Sequence, residues 1–482
     1  MAASKYSVFF GCLVDTPSLN ELRIRTNGAL GVDQTTGRII GVSDDVSICL
    51  SGTAEALVES WTGQAATKDD IHVTTLSSDQ FLMPGLIDTH THAPQFAFLG
   101  IGHDLPLMDW LEKYTFKHES EFKDPKVAKE FYHDVINRVI RNGVTFAAYY
   151  GTIHTESNRV LADTIRNAGQ RAFVGKVCMD VNSPSYYSES TEESIEGTEK
   201  FVKAILGDQN ESTGGSELRL VRPIVTPRFA PTCSMDCLRG LGDIAHKYQL
   251  PVQSHLCENP SEVAFVKQCF PDSTSYTDVY RKAGLLGHRT IMAHCVHMSA
   301  DDIKHLRETG SCVSHCPTSN FALGSGIADV RRFIANDIPV GLGTDVGGGY
   351  TPSILDAMRM AAAANRALIA AKRDRGEQLE GRDAVPLEAG ETVFLATQGG
   401  ARVMGMADQL GSLDKDKLFD AIVVDLDVPS SPVPSVNGTP AVKCLGDPAE
   451  AWRVRLEQFV FLADDRNIAR VYVGGNLIHT KQ

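Results

Sequence analysis

Two histidines close the run Met83-Pro-Gly-Leu-Ile-Asp-Thr-His90-Thr-His92. In an extended segment alternate side chains share a face, so both imidazoles can reach one Zn²⁺. Further along, Gln253-Ser-His255-Leu-Cys-Glu258, Ala293-His294 and Gly343-Thr-Asp345 each follow an apolar run with a group able to bind a metal or carry a proton. Taken singly, His255 and His294 read first as hydrogen-bonded core histidines, and Asp345 as a cap or turn residue. Those readings explain the joint occurrence badly. A single metal held by His90, His92, His255 and Asp345 explains it directly.

Other patterns carry less. Gly341-Leu-Gly343-Thr-Asp-Val346 comes near a dinucleotide fingerprint, but Val346 fills the third glycine slot. The His-x-Glu and Pro-Cys-x-x-Cys pair of the nucleic-acid deaminases is absent from the sequence. His297 lies three residues past His294, which reverses its face along a regular strand. Cys233/Cys237 and Cys312/Cys316 read as packing residues rather than ligands.

The elements that must position these groups alternate regularly. Strand-like runs fall at Phe81–Thr89, Val144–Tyr150, Ala172–Met179, Leu218–Val225, Pro251–His255, Thr290–His294, Cys312–His315 and Pro339–Gly343. Most are continuously apolar, as parallel strands buried on both faces require. Helical patterns lie between them. Asp124-Pro125 offers an N-cap and first-turn proline, Val127, Phe131, Val135 and Val139 define one face, and Gly143 follows. Ser190 with Glu193 suggests a capping box, and Ser234 and Ser299 stand where N-caps belong. The pattern predicts an α/β fold, a (β/α)₈ barrel of the TIM type. A doubly wound open sheet competes, but gives less reason for chemistry-bearing residues after so many strands.

The ends read as β-structure. Short strand patterns fill Ser7–Ile40, with turn signals at Asn27-Gly28 and Thr36-Gly37. Phe419–Leu426, Phe459–Leu462 and Val471–Ile478 are also strand-like, and Gly474-Gly475 predicts a tight hairpin. This gives residues 1–80 and 406–482 as the two parts of one small composite β-sandwich, and 81–405 as the barrel. Ser43–Ser78 reads as an elaborated loop and the proline-rich stretch 430–448 as a mobile segment.

With 482 residues, 43% hydrophobic and 22% charged, the chain has ample material for a large core. The net charge of -14 argues against nucleic acid as partner. The first residues lack the long apolar core of a signal peptide, and no run reaches membrane-spanning length. The 11 scattered cysteines suggest free thiols in the reducing cytoplasm.

Together these stretches resemble the amidohydrolase superfamily, and within it the guanine deaminases. The likeness covers nearly the whole chain. It runs through Pro84–Gln95, Phe173–Asp180, Pro223–Phe229, Gln253–Asn259, His315–Asn320, Gly341–Val346 and Asp464–Asn467. The His-Thr-His and Thr-Asp pieces belong to the whole superfamily, whereas Thr-Pro-Arg-Phe and Asp-Asp-Arg-Asn point to the narrower group. Departures are a phenylalanine at Phe96, where tyrosine is common, and a longer Ser43–Ser78 loop. The resemblance implies a homodimer that deaminates guanine to xanthine with one zinc ion per chain. Two-metal members often bridge their ions with a modified lysine on the fourth strand, and Leu218–Val225 has none.

The resemblance also implies roles. Asp345 accepts a proton from water, Glu258 in the barrel mouth shuttles one to the purine, and His294 hydrogen-bonds the attacking oxygen. Gln95 and Arg228 read the polar edges of the base, Phe229 packs on its face, and His255 lies beside it. Gln95 has a donor and an acceptor, so either amide orientation is open to it. Without the family match, Arg228 would read as a surface ion pair and Phe229 as core. The rival readings are a related enzyme acting on adenine, cytosine or a triazine, and a catalytically dead barrel serving as a scaffold.

Overall fold

The computed structural model describes residues 4–46, 53–207, 219–434 and 446–481. Eight strands run parallel in its centre: Leu86–His92, Val144–Tyr150, Arg171–Gly175, Val221–Pro223, Val252–Leu256, Thr290–His294, Cys312–His315 and Val340–Leu342. The fourth joins the fifth where Gln253 N–H donates to the Val225 carbonyl (2.9 Å) and Val225 N–H to that of Pro251 (3.0 Å). The eighth meets the first through Asp345 N–H to the His90 carbonyl (2.8 Å) and His92 N–H to that of Val346 (2.9 Å). The ring is therefore a barrel rather than an open sheet, with helices packed around it.

One expected strand is in fact two. Phe81–Thr89 divides at Gly85 into Gln80–Pro84, which pairs with Ala421–Asp425 in the terminal sheet, and Leu86–His92 in the barrel. A side chain at Gly85 would sit 2.2 Å from Thr145, so only glycine lets the chain pass between the sheets here. Helix Pro125–Arg141 is capped by Asp124, as predicted, but its buried face is Ala128, Tyr132, Val135, Ile136, Val139 and Ile140. Val127 points to solvent, because the true stripe is rotated by one residue. Ser190 and Glu193 exchange the predicted capping bonds, and Ser234 and Ser299 cap their helices.

Both termini build one eight-stranded sheet. In order it runs Asn476–Thr480, Ile468–Val473, Ala421–Asp425, Gln80–Pro84, Tyr6–Ser18, Glu21–Asp33 and Arg38–Ser43, with Ile71–Thr75 also on Tyr6–Ser18. The sheet folds on itself: the Phe9 ring lies 5.0 Å from Phe419 and 5.4 Å from Tyr472 near its other end. Leu13, Leu30, Leu82 and Val423 fill the same core.

Gly474-Gly475 forms the expected hairpin, both residues at positive φ. Asn27-Gly28 does not turn; it lies within Glu21–Asp33, and the reversal falls at Leu19-Asn20. The described part of 43–78 is more than a loop, holding helix Ala54–Thr62 and strand Ile71–Thr75. Trp61 of that helix fills a slot opened by Gly31 and Gly41, where an added Cβ would approach its ring to 2.5 and 2.2 Å. Phe459–Leu462 is the end of helix Pro448–Leu462, capped by Asp447, rather than a strand. Its β-prone residues complete a helical stripe through Leu456, Phe459 and Val460. Residues 435–445 of the proline-rich stretch lie outside the described residues.

Candidate active site

At the C-terminal mouth of the barrel, His90 and His92 on the first strand meet His255 on the fifth and Asp345 after the eighth. All four are buried, and their donor atoms lie within 4.8 Å of one another. His92 Nε2 is 3.2 Å from both His90 Nε2 and His255 Nε2, and Asp345 Oδ1 is 3.1 Å from His90 Nε2. Imidazole nitrogens bound at 2.0–2.1 Å to one tetrahedral ion stand roughly 3.4 Å apart, so this donor set fits a single metal. His255 Nδ1–H donates to the Arg228 carbonyl (2.6 Å), which leaves Nε2 free as a ligand. Burial holds His90 and His255 below the usual histidine range and brings His92 to about 4. The imidazoles are thus neutral, as ligation requires. Asp345 is held well down: burial raises it, but hydrogen bonds from His90 and His92 outweigh that.

Glu258 and His294 stand beside the cluster. His294 Nε2 is 3.6 Å from Glu258 Oε2 and 3.8 Å from Asp345 Oδ2, and has no hydrogen-bond partner among the described residues. Asn320 Oδ1, 3.0 Å from Nδ1, sets the ring's orientation. Burial, with the charge of Asp345, pushes the Glu258 carboxyl up to about 8. Such a group can both give and take a proton near neutrality. Its backbone N–H is held by Glu262 Oε2 at 2.8 Å. Cys257, His294 and Asp345 all have positive φ, at 51°, 70° and 47°. Backbone strain thus accompanies the turns that aim these side chains into the mouth. His297 points elsewhere, to the Ser325 carbonyl (2.7 Å), though the strand ends at His294 and the turn after it, not strand alternation, sets this direction.

The cavity next to the cluster is lined by all but one of the predicted site residues. Gln95, Arg228, Phe229, Glu258 and His294 are there with His92, His255 and Asp345, while His90 lies behind them. Leu107, Trp110 and Leu111 roof it from the long segment after the first strand, and Leu323 adds a wall. Arg228 is not a surface residue. It makes a buried, two-pronged ion pair with Glu119, at 2.7 and 3.1 Å. Nor is Gln95 free to take either orientation: Nε2 donates to Glu119 (2.8 Å) while Oε1 accepts from Gly347 N–H (3.2 Å). Burial raises Glu119, but the charge and hydrogen bonds of Arg228, with smaller contributions from His92 and Tyr187, hold it below its ordinary value.

The sequence profile of the amidohydrolase family matches residues 81–478. The chain belongs to the amidohydrolase family. This amidohydrolase is 42% identical to a probable guanine deaminase of Schizosaccharomyces pombe, over 98% of this chain and 83% of that protein. It is 39% identical to the guanine deaminase of Dictyostelium discoideum, over 99% of each. Among solved structures it matches guanine deaminase from C. acetobutylicum with bound guanine in the active site. That match has a TM-score of 0.82 and 33% identity, and covers 98% of this chain and 100% of the other.

Sequence reasoning missed several residues of this amidohydrolase's site. Leu107, Trp110 and Leu111 have helical spacing, which could have marked an apolar face. Glu119, within Lys117-His-Glu-Ser-Glu121, carries no such signal and resembles a solvated polar stretch. The Asp464–Asn467 stretch lies outside the pocket, where Asp464 caps its own short turn.

Proposed function

We propose that this amidohydrolase hydrolyses guanine at carbon 2, consuming water and yielding xanthine and ammonia. The observation that carries this is one cavity bringing together a three-histidine, one-carboxylate cluster, the Glu258–His294 pair and the polar groups of Gln95 and Arg228. Relatives at about 40% identity that bear the guanine deaminase name support the same reading.

His90, His92, His255 and Asp345 would hold one zinc ion, the metal best suited to such a tetrahedral nitrogen and oxygen set. When bound, it supplies a nucleophile near neutral pH by lowering the pKa of water. Asp345 takes the proton that water gives up. Glu258 carries a proton to the purine ring as carbon 2 becomes tetrahedral. His294, through Nε2, hydrogen-bonds the attacking oxygen. Gln95 and Arg228 hold the polar edges of the base, Phe229 packs on its face, and His255 stands beside it.

The working division is a barrel over 81–405, with 1–80 and 406–482 forming the composite β-domain, to whose sheet Gln80–Pro84 also adds a strand. The nine described cysteines are free thiols, which supports a reducing, cytoplasmic setting. No described helix is long and apolar enough to cross a membrane. The resemblance supports a homodimer. The test is purified enzyme given guanine, with ammonia and xanthine measured and metal counted by elemental analysis. About one zinc per chain and equal amounts of both products are expected. Full activity in metal-free protein, or two metals per active chain, would overturn the mechanism.

A further inference from the structure

We infer that Glu119 is the positioning residue for substrate recognition, fixing Gln95 and Arg228 in the single arrangement that the base meets. The inference rests on the reading above, in which those two side chains touch the heterocycle.

Glu119 comes from helix Phe116–Glu121, in the segment whose Leu107, Trp110 and Leu111 roof the cavity. Its side chain is fully buried. Oε1 accepts from Gln95 Nε2 (2.8 Å) and Arg228 Nη2 (3.1 Å), and Oε2 from Arg228 Nη1 (2.7 Å) and the Tyr187 hydroxyl (2.7 Å). A carboxylate offers about four lone-pair sites, and here four donors occupy them. Glu119 therefore has nothing left for a substrate, and acts through the residues it holds.

Two consequences follow from its chemistry. An ionised carboxylate only accepts, so Gln95 must keep Nε2 toward Glu119 and Oε1 toward Gly347 N–H. The two-pronged pair also fixes the plane of the Arg228 guanidinium, which lies over the Phe116 ring with 5.2 Å to the centroid. Because Glu119 balances the Arg228 charge, the Gln95–Arg228 end of the cavity presents directed donors without an unpaired cation. That suits an uncharged base and offers no free cation to a phosphate or carboxylate.

Steady-state kinetics on folded, metal-loaded protein tests this. Glu119→Asp keeps the charge that Arg228 needs but withdraws the carboxylate by one methylene. Zinc content should then stay near wild type and thermal stability fall as the buried donors lose contact, while KM for guanine rises about tenfold or more and kcat falls less, as loss of ground-state positioning requires. Tyr187→Phe removes one of the four donors without touching charge, and should raise KM in the same direction by a smaller factor. An unchanged KM in Glu119→Asp, or a fall in kcat at constant KM, would overturn the inference while leaving guanine hydrolysis intact. Wild-type enzyme that released no ammonia from guanine would sink the underlying reading, and the inference with it.

Discussion

Asp88 and Thr344 lock the first barrel strand to the eighth. Asp88 Oδ2 accepts from the Thr344 hydroxyl (2.5 Å), and Oδ1 accepts from the backbone N–H of Thr344 (3.0 Å) and of His90 (3.2 Å). One buried carboxylate thus spans the strand ends that carry His90, His92 and Asp345. Burial pushes it up to about 7 against these hydrogen bonds.

Asp88→Ala should leave all four proposed ligands in place but loosen the frame between them. Loss of such a supporting contact typically costs 10–100-fold in metal affinity, and a fall of about that size is expected. Competition with a chelator of known affinity measures it. Wild-type affinity would show that the strands hold their ligands without the lock.

Glu258→Gln should retain zinc and lose turnover by a factor on the order of 10² or more, measured by initial rates of ammonia release. It should also change how metal-free protein responds to pH. Burial and the charge of Asp345 raise the wild-type carboxyl from 4.5 to about 8. Below about 4.5 native and unfolded chains both hold the proton. As pH rises toward 8 the native state keeps a proton that the unfolded chain has lost, so this group's contribution to stability declines and then levels off. Glutamine has no such slope. Melting temperatures of chelated protein should favour the variant more at pH 8 than at pH 5; a constant difference would count against the raised carboxyl.

Arg228→Ala leaves Glu119 ionised and unpaired in the interior. Breaking a buried pair from one side costs about 3–5 kcal/mol, so a loss of that order is expected in urea unfolding. Guanine turnover should fall while metal content stays, since Arg228 touches the cluster only through its backbone carbonyl. Arg228→Lys restores charge but not the two-pronged geometry, and should recover stability more fully than activity.

The clustering of His90, His92, His255 and Asp345 was legible because strand geometry translates sequence spacing into direction. His90 and His92 share a face by the two-residue period, and His255, His294 and Asp345 each follow a β-rich apolar run. The eight-strand rhythm was legible for the same reason, apart from the break at Gly85, where the apolar run continues across two sheets. The recognition layer was harder to read. Glu119 matters only because folding sets it against Arg228, 109 residues away. The helical ending at Phe459–Leu462 was hidden by β-prone residues whose stripe becomes clear only with Leu456. Local pattern reveals period and termination; a buried polar network depends on contacts between distant segments.

Guanine should be strongly preferred over adenine and cytosine, and the reason lies in the fixed donors. Guanine carries an oxygen at carbon 6, where adenine carries an amine. Arg228 has only donors, and its pairing with Glu119 restrains it from turning away. Gln95 cannot compensate by rotating its amide, because Glu119 and Gly347 N–H hold both ends. In the pose guanine takes, adenine would set its carbon-6 amine against these donors and bring no amine to the metal at carbon 2; turned to place carbon 6 there, it offers Arg228 no carbonyl oxygen. An unpaired buried group costs about 1–3 kcal/mol, and more when charged. Stacking on Phe229 offers no counterweight, since both purines are flat. Mismatched polar groups reject a substrate far more strongly than an extra methylene does. The expected outcome is a guanine-to-adenine ratio in kcat/KM of about 10² or more at neutral pH. Ammonia release from guanine, adenine and cytosine at matched concentrations measures it, and a preference for either of the last two would overturn the guanine assignment while leaving the metal-dependent barrel standing.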